Sequence, residues 1–207
     1  MDAGTETCIW TRERKLIGNL IPMIFWFPPT AYGVSRALQG ERFYLDAIIW
    51  MSVGLGLGWV AVNFSGLFVN RRMQLELQRR LEFRRELVGS ERWFVGFATP
   101  RYAGALDAHE DVGFLVLEKD EVRFVSDTRK IVLPRSQIRR VCLRPNVHTM
   151  LGLGAWVSIE GVADDRPVRL LVEPREYSTM MANLWKAFRL RKRLQSALVP
   201  SPGKVSK

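Results

Sequence analysis

The sequence is poor in the residues that build metal centres and disulfide frameworks. It holds two cysteines, Cys8 and Cys142, and two histidines, His109 and His148, among 207 residues. Without closely spaced cysteines, neither a disulfide framework nor a zinc site with paired thiolate ligands is indicated. We therefore expect both cysteines to be free thiols in a reducing compartment, and we expect no cofactor.

Charge is missing from two long segments in the first third of the chain. Residues 16–35 read LIGNLIPMIFWFPPTAYGVS and residues 47–70 read AIIWMSVGLGLGWVAVNFSGLFVN, without Asp, Glu, Lys or Arg. Each has the roughly 20 residues that a helix needs to cross a hydrocarbon core of about 30 Å. They predict a two-helix transmembrane hairpin over residues 16–70.

Prolines interrupt the first of these segments, at Pro22 and at the pair Pro28-Pro29. Proline removes a backbone donor and disturbs the preceding helical turn, so we expect this helix to be kinked or split. A re-entrant hairpin in place of a full span is the alternative that the prolines leave open.

The second segment contains SVGLGLGW, in which glycines alternate with other residues. Gly54, Gly56 and Gly58 form GxGxG, which lacks the spacing of a dinucleotide-binding loop, and no Gly-Lys-Ser/Thr follows as in a P-loop. Gly54 and Gly58 do form GxxxG, with Gly66 two turns further on. Small residues at this spacing let helices approach closely in lipid. The pattern predicts transmembrane helix packing at Gly54, Gly58 and Gly66, including a homo-oligomer joined through the Gly54/Gly58 face.

The flanking cations predict the orientation of the hairpin. Basic residues precede the first segment and follow the second, at Arg12, Arg14, Lys15, Arg71, Arg72, Arg79 and Arg80. The connection holds only Arg36 and Arg42, offset by Glu41 and Asp46. By the positive-inside rule, both termini of this plasma or inner membrane protein face the cytoplasm, and residues 1–15 form a cytoplasmic tail.

Residues 71–90 predict a basic helical stalk that continues from the second span. The run RRMQLELQRRLEFRRELV contains neither proline nor glycine, and Glu76 and Arg80 are spaced to form an ion pair. Apolar residues recur at every fourth position, at Met73, Leu77 and Leu81. Three environments stay open for this helix: arginines against anionic headgroups, a solvated helix, and a short coiled coil in a dimer.

Short runs rich in β-branched and aromatic residues begin at Trp93. They are WFVGFA, GFLVLEK, EVRFV, KIVL, IRRVCL, AWVSIE and PVRLLVE. Turn sequences such as LEKDEV and GVADDRP separate them, which is typical of an antiparallel sheet rather than of βαβ units. We predict an antiparallel sheet or small barrel of about seven strands within a cytoplasmic domain over residues 91–198.

An amphipathic helix is predicted after Pro174, and residues 199–207 are predicted to be a disordered tail. An apolar stripe at helical spacing, predicted to cover the sheet, comprises Tyr177, Met181, Leu184, Trp185 and Phe188. Cations crowd the last turns, where they suit the helix dipole.

The order of these elements carries a family resemblance. A meander opening with GFLVLEKDEVRFVSD is followed by KIVLPRSQIRRV, two later strands and the amphipathic helix. The most recognisable pattern consists of Leu133, Pro134, Ile138 and Val141. Residues 93–198 thereby resemble the pleckstrin-homology-like (PH-like) superfamily, particularly GRAM and bacterial PH-type domains. The resemblance implies a strongly bent, seven-stranded sheet capped by a C-terminal helix, and thus an α+β membrane protein. Superfamily members bind lipid headgroups, peptides or other proteins, so the fold alone does not choose a ligand.

Basic residues of the predicted domain are candidate contacts for anionic lipid or another anion. They are Arg139, Arg140, Arg144, Lys186, Arg189, Lys192 and Arg193. The stretch 143–161 leaves three roles open for its apolar residues Met150, Leu151 and Leu153: packing against the last helix, insertion into the membrane interface beside a headgroup site, and peptide contact.

His109 heads the densest group of potential acid/base residues, with Asp107, Glu110 and Asp111. An enzyme would use His109 as a general base or metal ligand with these carboxylates. Adjacent residues on a strand point to opposite faces, and no HExxH or CxxC pattern completes a site. A polar loop or a partner-binding loop is therefore favoured over a catalytic site.

The net charge of +10 raises the possibility of a nucleic-acid partner. No nucleic-acid recognition motif is present, and the cations flank membrane segments, so anionic lipid explains the charge better. We expect a membrane-anchored, non-enzymatic binding or scaffold protein whose domain engages a membrane-protein partner or anionic lipid headgroups. A membrane-surface enzyme using His109 is the alternative.

Overall fold

A computed structural model describes residues 8–64, 69–83, 87, 91–102, 109–163 and 166–198. Gly66, Asp107, the segment 199–207 and most of the residues between 83 and 91 lie outside these ranges, so the predictions for them stay predictions. Cys8 and Cys142 are both free thiols, as predicted.

Two long helices lie side by side at the start of the chain. Helix α1 spans Arg12–Ala37 and begins where the Thr11 hydroxyl accepts a hydrogen bond from the backbone N–H of Arg14. Its three prolines do not split it. A 3-10 turn, Glu41–Phe43, leads into α2, Tyr44–Phe64. At this connection, Arg36 donates to Asp46 over 2.6 Å.

Close glycine contacts hold α1 and α2 together in antiparallel fashion. A Cβ placed on Gly58 would lie 2.9 Å from the Cβ of Trp26, and one on Gly54 would collide with Thr30. Nearer the connection, a Cβ on Gly33 would lie 2.9 Å from the carbonyl oxygen of Ala47. The Gly54/Gly58 face that was predicted to pack helices is thus occupied by α1 of the same chain.

By length and composition, one helical segment with ends at Glu41 and Glu82, found by searching the described residues, can cross a membrane, and its apolar window of 18 residues has a mean hydropathy of 1.7. It contains α2. Helix α1 does not meet the same criterion, because its three prolines and its polar residues, such as Asn19 and Thr30, lower its hydropathy. The prediction of two equivalent spanning helices is therefore corrected to a helix pair with one candidate span.

Helix α3, Val69–Phe83, was predicted as a stalk, but its apolar stripe is buried in the domain. Met73, Leu77 and Leu81 are fully buried in one cluster with apolar residues from one face of the sheet, including Phe94 and Phe114. The predicted ion pair between Glu76 and Arg80 is present at 2.8 Å. The helix therefore covers the sheet, and its apolar stripe is not available for a coiled coil.

Seven antiparallel strands form one open sheet in the order β4-β3-β2-β1-β7-β6-β5. The strands are β1 Glu91–Ala98, β2 Asp111–Leu117, β3 Glu121–Val125, β4 Lys130–Pro134, β5 Ile138–Arg144, β6 Trp156–Ala163 and β7 Arg166–Pro174. Each corresponds to one of the seven predicted runs. Consecutive strands pair with one another except for β4 and β5, which form the two edges, and β1 joins the two halves by pairing with both β2 and β7. The chain is therefore of mixed α+β class.

Helix α4, Met180–Leu198, covers the second face of the sheet, as predicted, but with a different stripe. The residues that it buries are Asn183, Ala187, Leu190, Leu194 and Leu198. Of the predicted stripe, Trp185 is 55% exposed, and Tyr177, Met181 and Phe188 are also exposed. The helix carries two apolar faces, and the smaller side chains are the ones that fit against the sheet.

Candidate functional site

The helix pair meets the sheet domain at one end, where side chains on both helices and just before α1 form hydrogen bonds with the domain. On the α1 side, the indole N–H of Trp10 donates to the carbonyl of His109 over 3.2 Å, and Lys15 donates to that of Glu110 over 3.3 Å. On the α2 side, the indole of Trp59 donates to the carbonyl of Leu151 over 3.0 Å. The side chain of Asn63 accepts from the first turn of α4 over 3.0 Å. Both helix ends therefore contact the same end of the domain.

A cavity of about 250 Å³ lies between these helix ends and the sheet, and we name it the junction cavity. Its polar wall contains Arg14, Lys15, Asn19, Asn70, His109, His148, Glu173, Arg175 and Asn183. Apolar residues line the rest, and they come from α1, from the end of α2 and from the domain, where Leu151 and Met180 are examples. The junction cavity is thus surrounded by cations, amides, two imidazoles and one carboxylate.

Glu173 anchors the deepest polar group of the junction cavity. One of its carboxylate oxygens lies 2.9 Å from Nε2 of His109 and 3.3 Å from Nδ1 of His148. The ring of His109 also packs edge-on against Trp156 at 5.3 Å between centroids. The carboxylate is 4% exposed, so it lies in a low-dielectric environment.

Two glycines make room for this group. A Cβ on Gly96, in β1, would fall within 2.7 Å of Cγ of His109. A Cβ on Gly154 would collide with the carboxylate of Glu173. Since Gly96 lies opposite Glu173 in the β1/β7 register, the absence of side chains at these positions creates the space that the buried carboxylate and imidazole occupy.

The pKa of Glu173 lies well below its usual range. Burial favours the neutral acid and raises the pKa, but the hydrogen bonds and charges of His109 and His148 outweigh that effect. Glu173 is therefore an anion at neutral pH in spite of its burial.

Three cations border the junction cavity, and each is held in a defined position. Arg14 donates to the carbonyl of Ile9 over 2.8 Å. Arg175 donates to the side-chain oxygen of Asn70 over 3.0 Å and lies over the ring of Trp10. Lys15 lies 5.8 Å from the centroid of that same indole ring. The cavity wall therefore carries a net positive charge, because three cations outnumber its single carboxylate.

The carboxylates next to His109 in sequence do not join it in a site. Glu110 pairs with Arg129 at 2.6 Å and accepts from Thr99, which together outweigh desolvation and lower its pKa. Asp111 accepts from Ser126 and Thr128. Over the residues that the structure describes, no group of three His, Cys, Asp or Glu side chains could hold a metal ion. The acid/base partner of His109 is instead Glu173, from a distant strand.

The predicted anion contacts on β5 do not converge on one site. Arg139 and Arg140 are exposed, and Arg144 pairs with Glu160 at 2.6 Å. That hydrogen bond lowers the pKa of Glu160 to about 2, against the effect of its burial. Arg140 and Arg144 lie about 13 Å apart along the strand, so they form a basic edge and not a pocket.

The predicted basic residues of α4 are also distributed. Lys186 pairs with Glu176 at 2.8 Å, and Arg193 pairs with Glu91 at 2.9 Å. The guanidinium of Arg189 lies 3.4 Å from the centroid of the exposed Trp185 ring, and Lys192 is exposed. Arg189 and Lys192 therefore stay close to the exposed apolar face of the helix.

Exposed apolar side chains surround the junction on the domain side, and we name them the junction rim. They are Val147, Met150 and Leu151 of the 3-10 turn Val147–Leu151, and Tyr177, Met181, Trp185 and Phe188 at the start of α4. Met150 is 88% exposed, whereas Leu153, for which the same roles were left open, is fully buried. The rim continues the apolar surface of α2 onto the domain.

Sequence reasoning identified His109 and the 147–151 stretch but missed Glu173, Arg175 and Asn70. A signal was available in Glu173, a carboxylate that directly follows three apolar residues in the strand sequence PVRLLVE. Its proximity to His109 depends on the β1/β7 register, which the sequence does not reveal. Neither a comparison with models of protein families nor one with curated proteins found a match.

Proposed function

We propose that the protein is a membrane-anchored, non-enzymatic binding module. Helices α1 and α2 cross the membrane as a hairpin, and the sheet domain rests on the cytoplasmic leaflet through the junction rim. The domain engages anionic lipid there. The observation that carries this proposal is the continuous apolar surface that runs from the helix pair onto the domain.

The helix pair presents apolar side chains on its outside. Ile24, Phe27 and Leu55 are each at least 60% exposed, in helices of a length that matches a bilayer core. In water, so large an exposed apolar surface would be unfavourable. Helix α1 crosses the membrane as the less apolar partner of α2, and its residues Thr30 and Trp26 pack on Gly54 and Gly58.

The junction rim has the composition of a membrane interface. Tryptophan and tyrosine are enriched where bilayer meets water, and long cationic side chains reach from there to the headgroups. Trp185 carries Arg189 stacked on its ring, with Lys192 one turn further on. Trp59, inside the predicted span, donates a hydrogen bond to the carbonyl of Leu151 in the 147–151 turn. In the proposed arrangement, the neighbouring Met150 therefore lies at the level of the lipid.

The PH-like resemblance is part of this proposal. Seven antiparallel strands in one sheet and a helix that covers one face support it. The non-enzymatic assignment is supported by the structural partners that hold Glu110 and Asp111 away from His109.

Spin-label accessibility in vesicles tests the contact of the domain with lipid. Single labels are placed at Met150→Cys and Phe188→Cys in a Cys8→Ser/Cys142→Ser background, with the full chain in vesicles of phosphatidylcholine and phosphatidylglycerol. Lys119→Cys is the control, because this exposed residue lies in the turn between β2 and β3. We expect the first two labels to collide more with oxygen than with a polar nickel complex, and the control label to do the reverse.

Equal accessibility of all three labels to the nickel complex would contradict the lipid contact. Shielding of the labels at Met150→Cys and Phe188→Cys from both oxygen and the nickel complex would instead indicate that a protein covers the junction rim. The domain would then bind a membrane-protein partner in place of lipid.

A further inference from the structure

We propose that the junction cavity and an adjoining groove between α1 and α2 together bind one phospholipid with an anionic headgroup. The cavity takes the headgroup and the groove takes an acyl chain. This inference rests on the proposed insertion of the helix pair and assigns a specific lipid site that the membrane contact alone does not require.

The groove is apolar and lies beside the junction cavity. It has a volume of about 400 Å³ and runs between Trp26 on α1 and Leu55 and Trp59 on α2. Gly58 forms part of its wall and packs closely against Trp26, since a Cβ there would lie 2.9 Å from the Cβ of Trp26. An aliphatic chain is the ligand chemistry that fits such a surface.

The cavity and the groove adjoin one another. Pro22, Met23, Val62 and Leu151 line both. A ligand that fills both spaces must therefore be polar at one end and apolar at the other. Together the two spaces lie within the roughly 300–1,000 Å³ range of small-molecule sites.

The charges of the cavity favour an anionic polar end. Arg14, Lys15 and Arg175 border it, whereas Glu173 is occupied by the two histidines. Asn19 adds a side-chain amide that can donate to phosphate or glycerol oxygens, whereas the amides of Asn70 and Asn183 already donate to the carbonyl of Tyr177. The phosphodiester of any phospholipid can accept charge-assisted hydrogen bonds from these groups, but the cation of a zwitterionic headgroup is repelled by them, so a headgroup with a net negative charge is favoured.

The position of the site selects a bilayer lipid over a free metabolite. The groove opens along the outer surface of the helix pair, at Leu55, which is 62% exposed. In the proposed orientation that surface faces the hydrocarbon core, and the cavity lies at the cytoplasmic headgroup level. A phospholipid from the cytoplasmic leaflet can therefore enter sideways without leaving the membrane.

Native mass spectrometry of the full chain, released from detergent micelles, tests the site. Equal amounts of dioleoyl phosphatidylglycerol and dioleoyl phosphatidylcholine are offered. We expect one lipid to be retained per chain, with phosphatidylglycerol preferred about tenfold or more, as the attraction of a few cations predicts.

Charge variants test the headgroup end. Lys15→Gln combined with Arg175→Gln should reduce the preference for phosphatidylglycerol about tenfold. Lys15→Arg, which keeps the charge, should retain it. Arg12→Gln is the matched control, because Arg12 lies on the same helix, is exposed and does not line the cavity.

A size variant tests the chain end. Leu55→Trp adds bulk to the groove and should lower the retention of both lipids. Leu57→Trp, at an exposed position of the same helix that does not line the groove, should leave retention unchanged.

Equal retention of the two lipids by the unaltered chain would overturn the proposal, and so would equal effects of the charge variants and Arg12→Gln. Extraction of membranes with alkaline carbonate shows whether only the lipid site is wrong or whether the proposed membrane anchoring is wrong as well. If the chain stays in the membrane but shows no lipid preference, only the lipid site is lost. If the chain is extracted, the membrane-anchored function is lost as well.

Discussion

At the residue scale, Glu173 connects the sheet to the cavity beneath the helix pair. Two histidines from separate segments converge on its buried carboxylate, and two glycines give them space. Removing one partner of a buried ion pair costs much more than the pair contributes, because the remaining polar groups stay buried. The geometry of the junction cavity therefore depends on this one carboxylate.

The change Glu173→Gln should lower the free energy of unfolding by about 3 kcal/mol at pH 7. Thermal unfolding in detergent micelles measures the effect. Glu82→Gln serves as the control, since Glu82 is a half-exposed carboxylate on α3. Equal melting temperatures for Glu173→Gln and the control would contradict the role of the buried carboxylate.

The same residue predicts an acid dependence of stability. Because the folded state lowers the pKa of Glu173 below its reference value of 4.5, its contribution is fully present above that pH. The contribution is lost as the pH falls from about 4.5 through the lowered pKa. A pH series of melting temperatures should therefore fall more steeply below pH 4.5 for the unaltered chain than for Glu173→Gln.

At the element scale, α3 and α4 enclose the sheet from its two faces. Ile9 and Trp10, which precede α1, join the α3 cluster, so the beginning of the chain also belongs to the domain core. A fragment that starts at β1 would lack this cover and would expose Phe94 and Phe114. The full chain is therefore the appropriate material for binding experiments.

The burial of α3 gives a matched pair of substitutions. Leu77→Asp should destabilise the domain by about 3 kcal/mol or more, because it places a carboxylate among apolar side chains that exclude water. Leu75→Asp, at a position on the same helix that is 49% exposed, should change stability by less than about 0.5 kcal/mol. Chemical denaturation followed by tryptophan fluorescence measures both, and similar losses for the two variants would contradict the packing of α3 on the sheet.

The pairing of α1 with α2 gives a second matched pair. Gly54→Leu should force the helices apart, since even a Cβ at Gly54 would collide with Thr30. Gly56→Leu should be tolerated, because a Cβ there meets no atom within 4 Å. Melting temperatures in detergent should fall by several degrees for the first variant only, and a fall of the same size for Gly56→Leu would contradict the contact.

The sequence predicts the sheet well because the signals for its strands are local. Each run of β-branched and aromatic residues became a strand, and GFLVLEKDEVRFV became β2 and β3 around its predicted turn. The prediction of which face of α4 packs on the sheet was wrong, because large side chains such as Trp185 and Phe188 dominate the hydrophobic pattern of the helix. Packing on the sheet instead selects the smaller Ala187 and Leu190, a choice that depends on the space available.

The candidate site was predicted only in part, because its residues come from distant parts of the chain. His109 was recognised, but its partner Glu173 lies 64 positions later. Strand register brings the two together, and no local pattern encodes that register. The cations Lys15 and Arg175 were assigned to topology or passed over, since the cavity that joins them exists only when the helix pair docks on the sheet.

Across the whole molecule, the helix pair and the sheet domain meet at the junction cavity. The ends of α1 and α2 that contact the domain carry the basic flanks, and the connection between the helices lies at the far end of the pair. The basic flanks and the domain therefore share one end of the helix pair, and the orientation of that end in a membrane stays a prediction. The side of the membrane on which the connection between α1 and α2 lies therefore distinguishes a hairpin that spans the membrane from a helix pair that lies on its surface.

Cysteine labelling in intact cells measures that position most directly. Leu38→Cys, at a residue of the connection that is 83% exposed, is made in a Cys8→Ser/Cys142→Ser background. A second variant keeps the exposed Cys8 as its single thiol. If α1 and α2 span the membrane, we expect a membrane-impermeant maleimide to label Leu38→Cys in intact cells and to label Cys8 only after the membrane is opened. Labelling of both positions only after opening would contradict a spanning hairpin.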